Sequence, residues 1–559
     1  MRLPWRRVGR RDPEIAPDEI FLDASNAPAF DRNRFEGRIE KPLSHNTFIY
    51  LGAALTLLFI ILIGRSWHLQ VTHGADYASL SAENRLAVTI LFAPRGLITD
   101  MHGEPLVQNE MREDGTLWRT YLLPELGQII GYVSRPKKDA KGIYYETDMT
   151  GVAGLEAKHD TLLSGTNGQL LTERDVLGEV RSEGMVVPAE EGKPLRLSLD
   201  AEMVRHLARA VRETAREKGF IAGAGVILDV QTGEVRSIVS YPTYDPNVMS
   251  EGTPADLIES YGKDSGRPYL DHAVQGAYTP GSIVKPFIAS GALADGLITP
   301  NTVIEDKGVI KLPDPYTPGK VFLYTGWKAL GPVDVKRALA WSSDIFFYTV
   351  GGGFENQRGL GIDRLAYWYR QFGFGSPTGV DLPEESKGLV PTPEWKKKVF
   401  NEPWYLGDTY FTAIGQYSVQ VTPMQAARAV AAVANGGHLM TPTLIADREP
   451  LYARVSVGAA ALAVVREGMR QTVTEALAQQ LNLPYVTVAA KTGTAQTGTR
   501  NQYDNSWVIG FFPYEEPRYA FAVVLERGPE GSGSQAVNAM RTFFDSLHSA
   551  NPAYFEDFR

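Results

Sequence analysis

The 559-residue chain contains no cysteine. Thiolate catalysis, disulfide staples and cysteine-type zinc sites are therefore excluded. Its nine histidines are scattered, at 45, 68, 73, 102, 159, 206, 272, 438 and 548, and no His-Glu-x-x-His occurs, so the usual metalloprotease signature is missing. Gly-x-Ser-x-Gly is missing as well, which argues against an α/β-hydrolase elbow. Basic charge is in short supply: 56 Lys and Arg against 65 Asp and Glu give a net charge of −9. No basic stripe interrupts the body of the chain, so nucleic acid is not an expected partner. No internal repeat or low-complexity tract occurs. What is present is ordinary for globular protein, 43% hydrophobic and 22% charged, with length for two or more domains.

Between Lys41 and Arg65 there is no Asp, Glu, Lys or Arg. Asn46 to Gly64 as a helix would cover about 28 Å, close to the ~30 Å hydrocarbon core of a bilayer. About 45 residues precede this run and no small-x-small cleavage site follows it, so a transmembrane helix fits better than a signal peptide. The leading segment carries nine basic residues: Arg2, Arg6, Arg7, Arg10, Arg11, Arg32, Arg34, Arg38 and Lys41. The positive-inside rule keeps that segment cytoplasmic and sends everything after Arg65 outside. The expectation is a single-pass protein of the cytoplasmic membrane with a large external body.

That body divides in two. Residues 66–215 are mixed, with a tight turn at Asp100-Met101-His102-Gly103 and an alternating strand at Leu195–Asp200. Ala201 to Lys218 reads as an amphipathic helix, with Met203, Leu207 and Val211 four apart. A second domain is expected to start near 215–222 and to run over 216–550, leaving 551–559 as a tail. Strands are expected at 224–229, 235–240, 486–490, 507–512 and 519–525, with helices between. Strands at both ends of a helical middle point to an α+β domain with a largely antiparallel sheet.

Three short strings stand in order in this second domain: Ser282-Ile283-Val284-Lys285, Ser342-Ser343-Asp344 and Lys491-Thr492-Gly493-Thr494. Ser-x-x-Lys alone is cheap, since Ser134 and Ser260 also have lysines three residues on. Only Ser282 follows Thr279-Pro280-Gly281, precedes Pro286 and has the other two strings downstream. The set resembles the serine, second-serine and KTG elements of β-lactamases and penicillin-binding proteins. Further strings extend the likeness over nearly everything after Arg65. They include Leu69-Gln70-Val71 with Tyr77, Glu83-Asn84-Arg85, Ala93-Pro94-Arg95-Gly96 and Gly154-Leu155-Glu156 with Leu163, Gly165 and Gly168. Ser240 to Asn247, Thr378 to Glu384, and Ala413-Ile414-Gly415-Gln416 with Thr422-Pro423 complete the set. The chain thus resembles a class B penicillin-binding protein, a membrane-anchored peptidoglycan D,D-transpeptidase on a pedestal domain. Ser-x-Asp at 342–344, followed by Phe346-Phe347-Tyr348, is more similar to the elongation type, penicillin-binding protein 2, than to the division type, which usually has Ser-x-Asn.

Two features depart from that pattern. Only 58 residues (96 to 153) separate Arg95 from Gly154, which implies a reduced pedestal head. Gln416 is followed by Tyr417 where the family more often has glycine.

Physical chemistry and the resemblance together assign roles. Pro280-Gly281 ends a loop ahead of an apolar helical run, 283–293, so Ser282 sits near a helix N-terminus that favours developing negative charge. Lys285 lies about one turn on and is the expected base, provided burial and Lys491 keep it neutral. The resemblance implies that Ser342 returns the proton to the leaving amine. It implies too that Lys491 and Thr492 hold the substrate's terminal carboxylate, with Gly493 giving close approach to the strand. The oxyanion hole maps to the N–H groups of Ser282 and Thr494. Asp344, an acceptor when ionised, either holds Lys285 or a backbone group or serves as a structural cap. No metal or cofactor is implied.

The implied substrates are stem peptides ending in D-Ala-D-Ala, with β-lactams trapping Ser282 and carboxypeptidase action on the side. A polytopic glycan polymerase of the shape, elongation, division and sporulation class is the implied membrane partner. A division-type enzyme, a β-lactamase, a bifunctional enzyme and a catalytically weak β-lactam-binding scaffold are the rival readings.

Overall fold

The computed structural model describes residues 44–83, 86–112, 116–140, 144–174, 180–314, 317 and 319–558. The basic segment from Arg2 to Lys41, and Asn84-Arg85 of the juxtamembrane string, lie outside them. The chain divides into two compact units, residues 1–87 with 174–179, and residues 88–173 with 180–559.

In the first unit one helix runs His45–Trp67 and continues as a π-turn over His68–Thr72. Its 23 residues span about 35 Å, a turn longer than the apolar run predicts and enough to cross a hydrocarbon layer. Every side chain from 45 to 67 is exposed, so its apolar surface has no cover among the described residues. That surface suits lipid. The Thr56 hydroxyl donates to Gly52 O at 2.8 Å, which satisfies it without water.

The second unit is built on a five-stranded antiparallel sheet. β1 (Ala222–Asp229) and β2 (Val235–Tyr241) form a hairpin; β3 (Ala489–Thr497), β4 (Tyr503–Phe512) and β5 (Tyr519–Pro529) come from near the C-terminus. Their order is β2-β1-β5-β4-β3. All of β1 is buried, and so is β4 after Tyr503. Successive side chains on a strand point to opposite faces, so both faces of the sheet are covered. The cover comes from helices Ala201–Lys218 and Gln535–Ala550, which also pack on each other, and from helix Pro423–Ala434. Asp200 caps the first of these by accepting from Met203 N at 2.9 Å, and Gly219 closes it with φ +73°. This helix packs on β1 and β2.

The strand expected at 486–490 ends where the real one begins. β3 starts at Ala489 and carries the whole Lys491–Thr494 string, with Lys491 opposite Ile509 and Thr494 opposite Ser506. Apolar content fades after Ala490, whereas backbone pairing to β4 persists. As the last strand in the order, β3 keeps one edge unpaired within the sheet. The strand expected over Leu195–Asp200 shrinks to Leu195–Arg196, because Asp200 is committed to the helix cap.

Residues 88–173 and 180–200 form the pedestal. Leu195–Arg196, Ile98–Thr99, Pro105–Met111 and Leu117–Tyr121 make a four-stranded sheet in that order. The turn at 100–103 is as expected: Asp100 Oδ1 accepts from His102 N and Glu104 N, each at 2.8 Å. Asn247 ties the pedestal to the sheet body, its side chain pairing with both backbone groups of Tyr121 at 2.9 and 3.0 Å. Ile98, Leu106 and Leu155 join one hydrophobic core with the sheet.

Candidate active site

Ser282 lies in a short 3-10 turn, Gly281–Val284, that feeds helix Lys285–Ala294. Pro286 sits in the helix's first turn, where its missing N–H costs nothing. The turn is pinned from three sides. Gly281 N donates to Gly415 O at 2.9 Å, Trp507 Nε1 donates to Thr279 O at 3.0 Å, and Tyr278 exchanges backbone hydrogen bonds with Val421 at 2.9 Å. Gly281 has φ +57°, and a Cβ on it would lie 2.6 Å from Thr494 O. A Cβ on Gly493 would lie 2.8 Å from both Pro280 O and Ile283 Cγ2. The serine turn thus occupies the space that a side chain at 493 would need.

A backbone oxygen cannot yield without moving Ser282. Gly493→Ala should accordingly slow acylation of Ser282 by at least about tenfold, since small misplacements at a reacting centre carry such costs. Unfolding stability should fall by about 1–3 kcal/mol from overpacking. Stopped-flow acylation and a thermal melt on the same sample check both.

The other strings converge beside this turn. Lys285 Nζ donates to Ser342 O at 2.9 Å, Ser342 Oγ at 3.2 Å and Asp344 Oδ1 at 2.6 Å. Lys491 Nζ donates to the same Ser342 Oγ at 2.9 Å and to Thr492 O at 2.8 Å. Both lysines are 0% exposed. Burial pushes Lys285 below its ordinary value while Asp344 opposes the shift; burial and the neighbouring Lys285 push Lys491 far lower. Among the described residues no side-chain hydrogen bond reaches the Ser282 hydroxyl, which is partly exposed.

The Ser342–Asp344 corner has its own support. Ser342 has φ +54°, a left-handed conformation that costs a non-glycine residue about 1–2 kcal/mol. Ser343 caps helix Asp344–Gly352 by accepting from Phe346 N at 3.0 Å, and it donates to the buried Asp306 at 2.6 Å. The cap is thus Ser343, and Asp344 is free to hold Lys285. Asp306 was missed by sequence reasoning: it lies 37 residues from Ser343, outside any motif.

On β3, alternation sets Thr492 and Thr494 on the face opposite Lys491 and Gly493. Thr492 is buried, and Thr494 is half-buried.

Tyr417, where glycine was expected, has φ +65°, a glycine-like backbone. Its ring packs edge-on against Trp404 at 5.7 Å and Trp395 at 6.3 Å, over the Lys396–Asp408 ion pair. Aromatic packing of this kind is worth about 0.5–1.5 kcal/mol per pair, which offsets the left-handed cost. The loop it ends is the one whose Gly415 holds Gly281.

Residues 223–545 match the penicillin-binding protein transpeptidase domain, and residues 114–197 match the penicillin-binding protein dimerisation domain. The peptidoglycan D,D-transpeptidase MrdA of Haemophilus influenzae is 32% identical over 473 residues, covering 78% of this chain and 70% of that one. Its Escherichia coli K12 namesake is 29% identical over 615 residues, covering 88% and 92%. Among solved structures, Pseudomonas aeruginosa PBP2 bound to WCK 5153 is similar at TM-score 0.67 and 30% identity, covering 82% and 96%. A chain of a peptidoglycan synthase complex described as coordinating polymerization and crosslinking is similar at TM-score 0.70 and 28% identity, covering 90% and 99%.

Proposed function

This chain belongs to the penicillin-binding protein transpeptidase family, as a class B member of the elongation type, and on that premise we propose that its chemistry runs through Ser282. The protein is a serine-type D-Ala-D-Ala transpeptidase that crosslinks peptidoglycan stem peptides. The observation carrying the assignment of residues is the single oxygen, Ser342 Oγ, held between the amines of Lys285 and Lys491 beside the serine turn.

In this reading Ser282 Oγ attacks the penultimate D-Ala carbonyl while Lys285, as neutral amine, takes its proton. Ser342 relays that proton to the departing D-Ala amine. The N–H groups of Ser282 and Thr494 receive the oxyanion, an arrangement typically worth ~3–4 kcal/mol of barrier per donor. Lys491 attracts the terminal carboxylate. Thr492 donates to the same carboxylate, and the half-buried Thr494, on the same face of β3, is a further donor beside it. The free edge of β3 suits an extended peptide added as a further strand. An amine of a neighbouring stem peptide then takes the acyl group from Ser282.

The apolar helix fits a single membrane anchor. We further propose a cytoplasmic N-terminus, supported by the nine basic residues before the helix, and an extracytoplasmic body. We also propose a pedestal ending near residue 200 and a glycan polymerase as membrane partner. The partner reading is supported by the likeness to a chain of a synthase complex that coordinates polymerization and crosslinking.

Full-length protein in detergent, treated with fluorescent penicillin and followed by intact mass, tests the reading. A stable one-to-one adduct, absent in Ser282→Ala, is expected. An adduct that decays within seconds would indicate a hydrolase, and no adduct on folded protein would indicate a binding scaffold.

A further inference from the structure

Two buried amines meet at one hydroxyl, and among the described residues one carboxylate, Asp344, touches them. Lys285 Nζ and Lys491 Nζ both lie within hydrogen-bond distance of Ser342 Oγ, so the nitrogens are at most about 6 Å apart. Two full charges at that separation, away from water, repel strongly, so the pair carries one. The groups facing it from the packed elements decide which amine holds that charge. Asp344 contacts Lys285 at 2.6 Å. Asp306 lies one side chain further off, behind Ser343, and also acts on Lys285. Tyr348, on the same helix as Asp344, has its hydroxyl pushed above its ordinary value by burial and stays neutral. Lys491 has a carbonyl and a hydroxyl as partners.

We propose that Asp344 keeps the shared charge on Lys285 in the resting enzyme, and that the terminal carboxylate of an acyl donor draws it through Ser342 onto Lys491, freeing Lys285 to act as base. The inference rests on the reading of Ser282, Lys285 and Lys491 given above. A charged Lys285 has three N–H bonds, and three acceptors take them: Ser342 O, Ser342 Oγ and Asp344 Oδ1. It has no lone pair for the Ser282 proton. In this proposed resting state the 2.9 Å contact between Lys491 Nζ and Ser342 Oγ turns round: the neutral amine offers its lone pair and the Ser342 hydroxyl hydrogen points to it. When a carboxylate arrives at Lys491, an N–H bond of Lys285 breaks and its proton joins Ser342 Oγ. The former Ser342 proton forms a new N–H bond on Lys491. Ser342 is unchanged, one proton has moved, and the new cation pairs with the substrate. Lys285, now neutral, can accept the Ser282 proton as Oγ attacks. Asp344 in this way makes the site selective for donors that carry a carboxylate. An uncharged residue at 344 would leave Lys285 without its counter-charge, and so less dependent on the substrate.

The test compares acylation of full-length protein by a penicillin and by its methyl ester across pH 5–9. For the wild type we expect the ester to react at least about 100-fold more slowly at pH 7, with its acid limb at higher pH than that of the free acid. In Asp344→Asn, removal of the negative charge lowers the Lys285 value. The ester's acid limb should therefore move down by about one pH unit or more, and the ester penalty should shrink to about tenfold or less. Coincident limbs for acid and ester in the wild type would overturn the proposal without any variant. An ester limb that stays put or rises in folded Asp344→Asn would overturn it too, leaving Asp344 a merely structural contact. Absence of any Ser282 adduct with the free acid would instead sink the underlying assignment of the site, an outcome distinct from both.

Discussion

Lys285→Met is expected to slow acylation of Ser282 by about 10³–10⁴-fold, the upper range for loss of a positioned general base. The substitution suits the site sterically, because Lys285 is fully enclosed and its stem lies in apolar surroundings, with the Phe347 ring 5.4 Å from its amine. Methionine refills that channel without a charge. Removing one member of a buried pair costs up to about 3–5 kcal/mol when the charge left behind is shut off from water, and the loss here should be smaller. Asp344, which loses its cation, keeps partial access to water at 17% exposure and can be solvated there. The measurement is the second-order rate of fluorescent penicillin acylation, beside a thermal melt of the same protein. A fall of less than about tenfold in folded protein would show that Lys491, acting through Ser342, takes the Ser282 proton, and that Lys285 is only a structural cation. Adding Ser342→Ala separates these cases: it removes the bridge at 3.2 and 2.9 Å to the two amines, so a Lys491-based route would collapse with it.

Much of this site was legible in the chain because its chemistry sits in short strings whose order is rarely met by accident. The amphipathic helix 201–218 was equally plain from a spacing of four, although its capping aspartate, Asp200, read as the end of a strand. What the sequence hid was what depends on distant partners. β3 was placed too early because Lys491, Thr492 and Gly493 break the apolar run, although hydrogen bonding to β4 carries the strand through Thr497. That Gly493 also packs against the serine turn was hidden, because its neighbours there, Pro280 and Ile283, are some 210 residues away in the chain. Asp306 bears no motif and matters only because Ser343 folds back onto it. Tyr417 stood out as a departure from a family pattern. Its left-handed backbone and its two tryptophan partners, brought in from 395 and 404, explain how a large ring replaces glycine there. Arg95 and Glu156 were each noticed inside a string, 61 residues apart, without a hint that they touch.

That contact should yield the largest stability effect in the molecule. Glu156 is fully buried between two fully buried arginines. Its Oε2 accepts from Arg95 Nη2 at 2.8 Å and from Nε at 3.1 Å, while Oε1 accepts from Arg119 Nε at 2.8 Å. Arg95 also reaches Asp160 at 2.8 Å and Met149 O, and Arg119 reaches Asn109 at 3.2 Å. Glu156→Ala would leave both guanidiniums in place with one half-exposed carboxylate, Asp160, on Arg95 and no acid on Arg119 among the described residues. Stranding buried charge in this way costs about 3–5 kcal/mol. Glu156→Gln keeps the shape and the acceptor at one oxygen, so its loss should fall between that of alanine and zero. Urea unfolding followed by tryptophan fluorescence reads the difference, with Trp118 near the pedestal sheet and Trp507 on β4 as separate reporters. The Trp118 signal should shift most, while penicillin acylation of the folded variant at low temperature should stay within about twofold, because none of these three residues contacts the Ser282 turn. A loss below about 1 kcal/mol would mean that water enters and solvates the arginines, as it does at an exposed ion pair.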